Sequence, residues 1–336
     1  MMLIAIIQFV VLAAVIIAAG TMLAHYADAI ADATGLGRLL IGSVLLAGAT
    51  SLPEMTVDIS AVRLNLPDMA IGDLLGSSLM NLLILAALDL THYSRGKMLS
   101  RTAAAHALGG LFSIALTGLV GLGLLTSRKA ESWTFLGVHA WIWIIAICYG
   151  LGVRMVYLDQ RIAQRAAEDS NAVPKEAHQP MPLWKAALGF LVAAAIIVAA
   201  GPFLAEAAGK IAELSGLGGT FVGTTLVALC TSLPELSASY AAIRLGAFDL
   251  AVGNVFGSNA FNMLLFLPLD LAFKGTLFAA VSPAHTISAF AVIVASSVVI
   301  IGQLYNVERR TRFLEPDALA VMAIIFGALA MIYYSG

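Results

Sequence analysis

Charge is what this sequence has least of. Of its 336 residues, 11% are charged and 60% hydrophobic, with a mean hydropathy of +0.94. A soluble domain is excluded, and a polytopic membrane protein resident in the lipid bilayer remains. The formal net charge of −2 gives no ground for a nucleic-acid partner, and nothing in the composition implies a protein partner. Cysteine is nearly absent. Cys148 and Cys230 lie far apart in apolar runs, which excludes a disulfide framework and reads as apolar packing. No basic stretch precedes the apolar segment Met1–Gly20, so it reads as a retained first helix and not a cleaved signal. Long polar stretches are lacking too. Only 158–182 qualifies, with Arg161, Arg165, Glu168, Asp169, Lys175, Glu176 and three prolines. It is too short for a folded regulatory domain and reads as a linker. His92, His106, His139 and His285 have no ligand-like spacing; they read as structural or interfacial, with His106 able in principle to relay protons.

The apolar segments are each long enough to cross a bilayer, which takes about 20 residues. They fall at 2–24, 38–65, 69–91, 101–126, 134–157, 183–206, 217–245, 249–273, 281–304 and 316–334. The predicted fold class is therefore all-α, with ten transmembrane helices arranged as two five-helix repeats. The units are 1–157, a linker at 158–182, and 183–336. An odd number of spans per half makes the halves inverted relative to each other, the plan of secondary transporters. With the first loop inside, thirteen Lys and Arg residues face inward and five outward. By the positive-inside rule this puts both termini outside and the central loop in the cytoplasm of a multi-pass cell membrane protein, plasma or inner. Trp133, Tyr157 and Trp184 fit interfacial anchors.

One stretch is written twice. Residues 42–90 align with 223–271 without a gap at an offset of 181, and 21 of the 49 pairs are identical. Thr50-Ser51-Leu52-Pro53-Glu54 matches Thr231-Ser232-Leu233-Pro234-Glu235. A carboxylate beside a helix-breaking proline is expensive in lipid, so its duplication points to an ion site at Glu54 and Glu235. Pro53 has no N–H for the Ala49 carbonyl, and Pro234 none for that of Cys230. Freed carbonyls and the hydroxyls of Thr50, Ser51, Thr231 and Ser232 gather round the two glutamates. These hard oxygen donors suit Na+, Ca2+ and Mg2+. Two carboxylates are neutralised by one Ca2+ or by two monovalent cations or protons, so an empty charged site resists occlusion. No cofactor is implied beyond the transported ions.

The next segment of each half supplies a polar stripe with a four-residue period: Asp73, Ser77 and Asn81, then Asn254, Ser258 and Asn262. Gly72 with Gly76, and Gly253 with Gly257, form small-xxx-small pairs for close helix approach. Asp68 and Asp249 stand at segment starts and read as N-caps. Asp89 and Asp270 stand near segment exits and read as interfacial.

These motifs resemble the cation/Ca2+ exchanger superfamily, whose members include Na+/Ca2+ exchangers with two α-repeats. The second copy is similar to the family signature through Gly253-Asn254-Val255-Phe256-Gly257-Ser258-Asn259-Ala260-Phe261-Asn262. The resemblance implies a ten-helix antiporter with Ca2+ and Na+ sites around the two glutamates. It makes Thr50, Ser51, Ser77 and Asn81 ligands, with Thr231, Ser232, Ser258 and Asn262 opposite, and implies alternating access by sliding of the first and sixth segments. The first copy departs from the signature: Asp73 stands in place of Asn, Ser78 in place of Asn, and Asp58 where the second copy has Ser239. Asp58 can share a face with Glu54 or reach an aqueous vestibule. Asp73 reads as an added cation ligand or a proton carrier, because crowded carboxylates hold a proton between them.

The function expected is Ca2+ export coupled to Na+ entry, with H+ as the alternative counter-ion. A passive cation channel is disfavoured by the inverted repeats with broken helices. An intramembrane aspartyl enzyme using Asp58 and Asp73 requires the two carboxyls in contact and leaves the duplicated glutamates without a role.

Overall fold

The computed structural model describes residues 2–91, 103–126, 133–169, 181–214, 228–229, 231–305 and 316–335. The first half comprises α1 (Met2–Thr34), α2 (Arg38–Leu40), a π-helical turn (Ile41–Leu46), α3 (Ala47–Thr50), α4 (Leu52–Arg63), α5 (Pro67–Thr91), α6 (Ala103–Thr126) and α7 (Ala140–Asp169). A two-residue ladder, β1 (Thr134–Phe135) with β2 (Val138–His139), precedes α7. The second half comprises α8 (Leu183–Leu214), α9 (Leu233–Arg244), α10 (Phe248–Ala272), the short α11 (Leu277–Ala280), α12 (His285–Tyr305) and α13 (Pro316–Ser335).

Among the described residues, seven helices are long and apolar enough to cross a membrane: α1, α5, α6, α7, α8, α10 and α12. The bent pair Arg38–Thr50 and Leu52–Arg63 makes an eighth if counted as one span, and Pro316–Ile332 is a shorter apolar helix. The chain is thus a multi-pass helical membrane protein. Residues 215–227 and 230 lie outside the described residues, so only the later part of the expected segment 217–245 is seen, as α9. The reading of Cys230 falls there too, as does that of His92.

Several helices outrun the expected segments. α1 continues past 24 to Thr34, and α8 past 206 to Leu214. α7 runs through Asp169, so 158–169, expected as linker, is helical. Arg, Gln, Ala and Glu are good helix formers, and a helix can leave the bilayer without stopping. The remaining linker residues 170–180 are outside the described set.

Position in the bundle follows from burial. α5 and α10 have 72% and 83% of their apolar windows buried, against 17% for α1. α5 and α10 are therefore central, and α1 turns Leu3, Ile4, Val10 and Val11 outward as a lipid-facing helix does. Trp133 and Trp184 are exposed.

The two copies of the repeat fold alike. α4 ends with Asn65 at φ 63 and α9 with its counterpart Gly246 at φ 75. In each, the left-handed residue and the next donate back into the last turn: Asn65 N to Val62 O and Leu66 N to Ala61 O, then Gly246 N to Ile243 O and Ala247 N to Ala242 O. This is the Schellman closure, which needs glycine or asparagine at that place. The copies also grip each other. A Cβ on Gly201 of α8 would sit 2.7 Å from Pro53 Cβ, and one on Gly20 of α1 would run into Ser237 and stand 3.2 Å from the Pro234 carbonyl. Each outer helix is thus seated on the proline break of the opposite repeat. α10 lies equally close to α2 and the π-helical turn: a Cβ on Gly253 would be 2.7 Å from Leu39 O and 3.1 Å from Ser43 N. The other small pair is looser, with Gly72 and Gly76 in ordinary contact distance of His285 and Ala228.

The aspartates at helix starts differ from expectation. Asp249 Oδ1 holds His106 Nε2 of α6 at 2.8 Å, and Asp68 Oδ1 holds His285 Nε2 of α12 at 2.9 Å and accepts the Ser282 N–H at 2.6 Å. They tie helices of different halves and do not merely cap their own. Asp270 is not interfacial: it is buried and accepts the main-chain N–H groups of His139 at 3.0 Å and Leu277 at 2.8 Å. A local cap and a long-range tie use the same residue type, so the sequence could not separate them.

Candidate cation site

The helix break comes from proline. Ser51 leaves helical geometry at φ −88, ψ 6, and Ser232 does so at φ −82, ψ 2. Each helix restarts with the proline in its first turn, where a missing N–H does no harm. The bend in the first half is 42°. Glu54 and Glu235 therefore lie in the first turns of α4 and α9, beside the interrupted ladder.

All twelve residues singled out from sequence are buried at 2% exposure or less: Thr50, Ser51, Glu54, Asp58, Asp73, Ser77, Asn81, Thr231, Ser232, Glu235, Ser258 and Asn262. They form one polar region in which contacts run between halves. Ser51 Oγ donates to Glu235 Oε1 at 3.1 Å, and Ser258 Oγ donates to the same oxygen at 3.3 Å. Thr50 Oγ1 donates to Asn254 Oδ1 at 3.3 Å and lies 3.4 Å from Ser258 Oγ. The mirrored set is Thr231 Oγ1 to Asp73 Oδ1 at 3.5 Å and Thr231 with Ser77 at 3.5 Å. Glu54 is in electrostatic range of Glu235, Asp73 and Asp58.

The mirror is incomplete. Glu235 has two hydroxyl donors on one oxygen. On the other side Ser232 Oγ and Glu54 Oε2 are both buried without a partner. Further buried oxygens without a donor are Glu235 Oε2, Asp73 Oδ2, Asn81 Oδ1 and Asn262 Oδ1. The amide nitrogens of both asparagines are engaged, Asn81 Nδ2 with Asn259 Oδ1 at 3.0 Å and Asn262 Nδ2 with Leu74 O at 3.5 Å, which leaves their carbonyl oxygens as free acceptors. Buried polar atoms are nearly always satisfied. A concentration of acceptors with no donor is the complement of a cation.

Asp58 is corrected in one respect: it is 1% exposed and reaches no open vestibule, and it lies beside Asp73 as well as Glu54. In the second half the equivalent positions are Ser239 and Asn254, and Asn254 Nδ2 donates to Ser239 Oγ at 3.0 Å. The two aspartates of the first half thus stand where the second half has a hydrogen-bonded pair. Neither oxygen of Asp58 has a hydrogen-bond partner, and the two carboxyls can bond each other only when one carries a proton. The aspartyl-enzyme reading needs a pair open to water and substrate, and this pair is buried.

Among the described residues, no three His, Cys, Asp or Glu side chains are grouped to hold a metal ion. A cation here must use hydroxyl, amide and main-chain oxygens beside the carboxylates, a donor set suited to an ion that has to leave again. The Lys and Arg ion pairs among the described residues lie elsewhere, Arg38 with Asp28 and Asp32, and Lys210 with Glu206. Sequence reasoning gave Asn259 and Ser78 no role. Asn259 joins the halves by accepting from Asn81 and donating to Ser78 O at 3.2 Å. Its place inside the repeated signature was the available signal.

A membrane bundle whose related halves enclose a buried, oxygen-rich, acidic centre defines an ion transporter. The profile of the Sodium/calcium exchanger protein family matches residues 4–151 and 185–334, and the chain belongs to that family. It is therefore a membrane antiporter and not an enzyme. Inner membrane protein YrbG of Escherichia coli K12 is 31% identical over 245 residues, spanning 70% of this chain and 69% of its own. Sodium/calcium exchanger MaX1 of Methanosarcina acetivorans is 48% identical over 80 residues, 24% of this chain and 23% of its own. The solved structure of the sodium-calcium exchanger NCX_Mj superposes with a TM-score of 0.69 at 20% identity, covering 98% of this chain and 99% of that one, so the fold is shared.

Proposed function

We propose that this antiporter exports Ca2+ in exchange for Na+ entry, by alternating access at a midplane site. Glu54 and Glu235 carry the charge. Thr50, Ser51, Ser77, Asn81, Thr231, Ser232, Ser258 and Asn262 supply neutral oxygen ligands, and Asp73 and Asp58 stand next to them. The observation that carries this reading is the set of buried oxygens without donors on both glutamates, both asparagines, Ser232 and Asp73. An uncompensated carboxylate in the bilayer centre costs roughly 2.5–3.5 kcal/mol. The carrier therefore crosses only when loaded, which makes exchange obligatory.

The organisation behind it is ten spans in two inverted repeats, 1–157 and 183–336, joined by a cytoplasmic linker at 158–182. Both termini lie outside a plasma or inner membrane. The likeness of α4 to α9 and the seating of α1 and α8 on opposite proline breaks support this plan.

H+ as counter-ion is the second reading, and the Asp58–Asp73 contact favours it. A proton held there can be released when a cation arrives at Thr231 and Glu54 nearby. The test is 45Ca2+ flux in proteoliposomes under an outward Na+ gradient, a pH gradient or neither. Uptake should require a gradient and be abolished in Glu54→Gln and in Glu235→Gln. Full activity in both variants would falsify the site.

A further inference from the structure

A second acidic cluster lies away from the midplane. Asp89 ends α5, Gln303 sits in the last turn of α12, and Asp317 opens α13. These three polar residues line a cavity of about 30 Å³ whose other walls are apolar, among them Val252, Val299 and Val321. That is room for at least one water, which needs a cavity of about 10–15 Å³. Asp317 is fixed from both ends: Oδ1 accepts the Ala318 N–H at 3.0 Å, and Oδ2 lies where any Cβ on Gly302 would stand. Gln303 is 3% exposed, and its Oε1 has no donor. A buried amide carbonyl without a donor, on the wall of a cavity that two carboxylates also line, is poorly explained by packing alone.

We infer that Asp89, Gln303 and Asp317 form a second divalent-cation site, separate from the transport site, which takes Ca2+ and ties α5, α12 and α13 together. Two carboxylates and one amide carbonyl are hard ligands whose charge matches a divalent ion. Ca2+ tolerates irregular geometry with water completing its shell, whereas Mg2+ demands a near-ideal octahedron. Asp89 is eight residues beyond Asn81 on one helix, about 12 Å along its axis, so one ion cannot serve both places. With few protein ligands the dissociation constant belongs near about 10⁻⁴–10⁻³ M.

The test counts ions. Equilibrium dialysis of the detergent-solubilised full chain against 45Ca2+ gives the wild-type complement. Asp317→Asn and Gln303→Leu should each bind one ion fewer, while retention of the remaining ions shows that the variants are folded. Gln303→Glu adds a charge to the site and should tighten its binding about tenfold, roughly 1.4 kcal/mol. Glu54→Gln with Glu235→Gln should remove the midplane ions and leave this one, so the two assignments fail separately. An unchanged complement in Asp317→Asn and Gln303→Leu, or an unchanged affinity in Gln303→Glu, would mean that the cavity holds only water and would overturn the inference.

Discussion

Transplanting the second half's neutral pair into the first half isolates what the two extra aspartates do. The perturbation is Asp58→Ser with Asp73→Asn, which recreates the Ser239–Asn254 hydrogen bond seen at 3.0 Å. In the native chain Asp58 and Asp73 are neighbours that can share a hydrogen bond only while one carboxyl is protonated. As pH rises that proton leaves, the bond is lost, and two buried like charges face each other. A hydrogen bond to a charged group contributes about 1.5–3 kcal/mol, and repulsion adds to its loss. The sign is therefore fixed: native stability should fall with rising pH by at least about 1.5 kcal/mol more than that of the double variant. The amide–hydroxyl bond of the variant does not titrate. Thermal unfolding of purified protein across a pH series measures the difference. Transport reads the same substitution differently. If protons are exchanged through this pair, uptake driven by a pH gradient should drop at least about tenfold, which needs only some 1.4 kcal/mol, while Na+-driven uptake persists. Parallel stability curves and undiminished pH-driven uptake together would refute the shared-proton argument.

Two further outcomes follow from the packing. Gly201→Ala puts a methyl 2.7 Å from the ring of Pro53, which cannot rotate away; overpacking of that kind should destabilise the protein by about 1–3 kcal/mol and slow transport. Gly20→Ala should cost less, because the Ser237 hydroxyl it meets can swing aside; equal losses in thermal melts of the two variants would contradict the distinction. Asp249→Asn weakens the charged partner of His106, whose side chain is 1% exposed while that of Asp249 is 41% exposed. A loss of about 1 kcal/mol is expected after allowing for the exposed carboxylate, and His106→Leu should be milder than Asp249→Leu, since only the latter strands a buried polar ring; thermal melts of both variants against wild type give the order.

Much of this molecule is written locally and could be read from sequence. The duplicated Thr-Ser-Leu-Pro-Glu run fixes where helices break, because proline's missing N–H acts within four residues. The polar stripes on α5 and α10 follow from helical period alone. What was not legible lies in contacts across the halves. Ser51 reaches Glu235 over 184 residues of sequence, and a hydroxyl beside Glu54 gave no hint that its hydrogen bond would go to the other glutamate. Asp68 and Asp249 look like caps until α12 and α6 bring histidines to them. Asp58 and Asp73 are a middle case. Each departs from its counterpart in the other copy, and the departures fall on two positions that are bonded there, so reading the repeat against itself would have joined them.

The unequal halves also bear on how exchange can work. A perfectly mirrored site would hold its two glutamates equivalently, and nothing in it would favour one direction of loading. Here Glu235 is engaged by Ser51 and Ser258, while Glu54 and Ser232 keep unpaired oxygens. A cation entering this arrangement finds one free oxygen on each glutamate, Glu54 Oε2 and Glu235 Oε2, and must displace two hydroxyl hydrogens, worth about 0.5–3 kcal/mol each, to gain Glu235 Oε1 as well. The same hydroxyls return when it leaves. Because Ser51 stands at the proline break on which Gly201 of α8 is seated, a shift of that outer helix would act on one of the hydroxyls that compete with the ion. Occupancy and helix position are then coupled through Ser51, the residue at which the first half's helix is already broken.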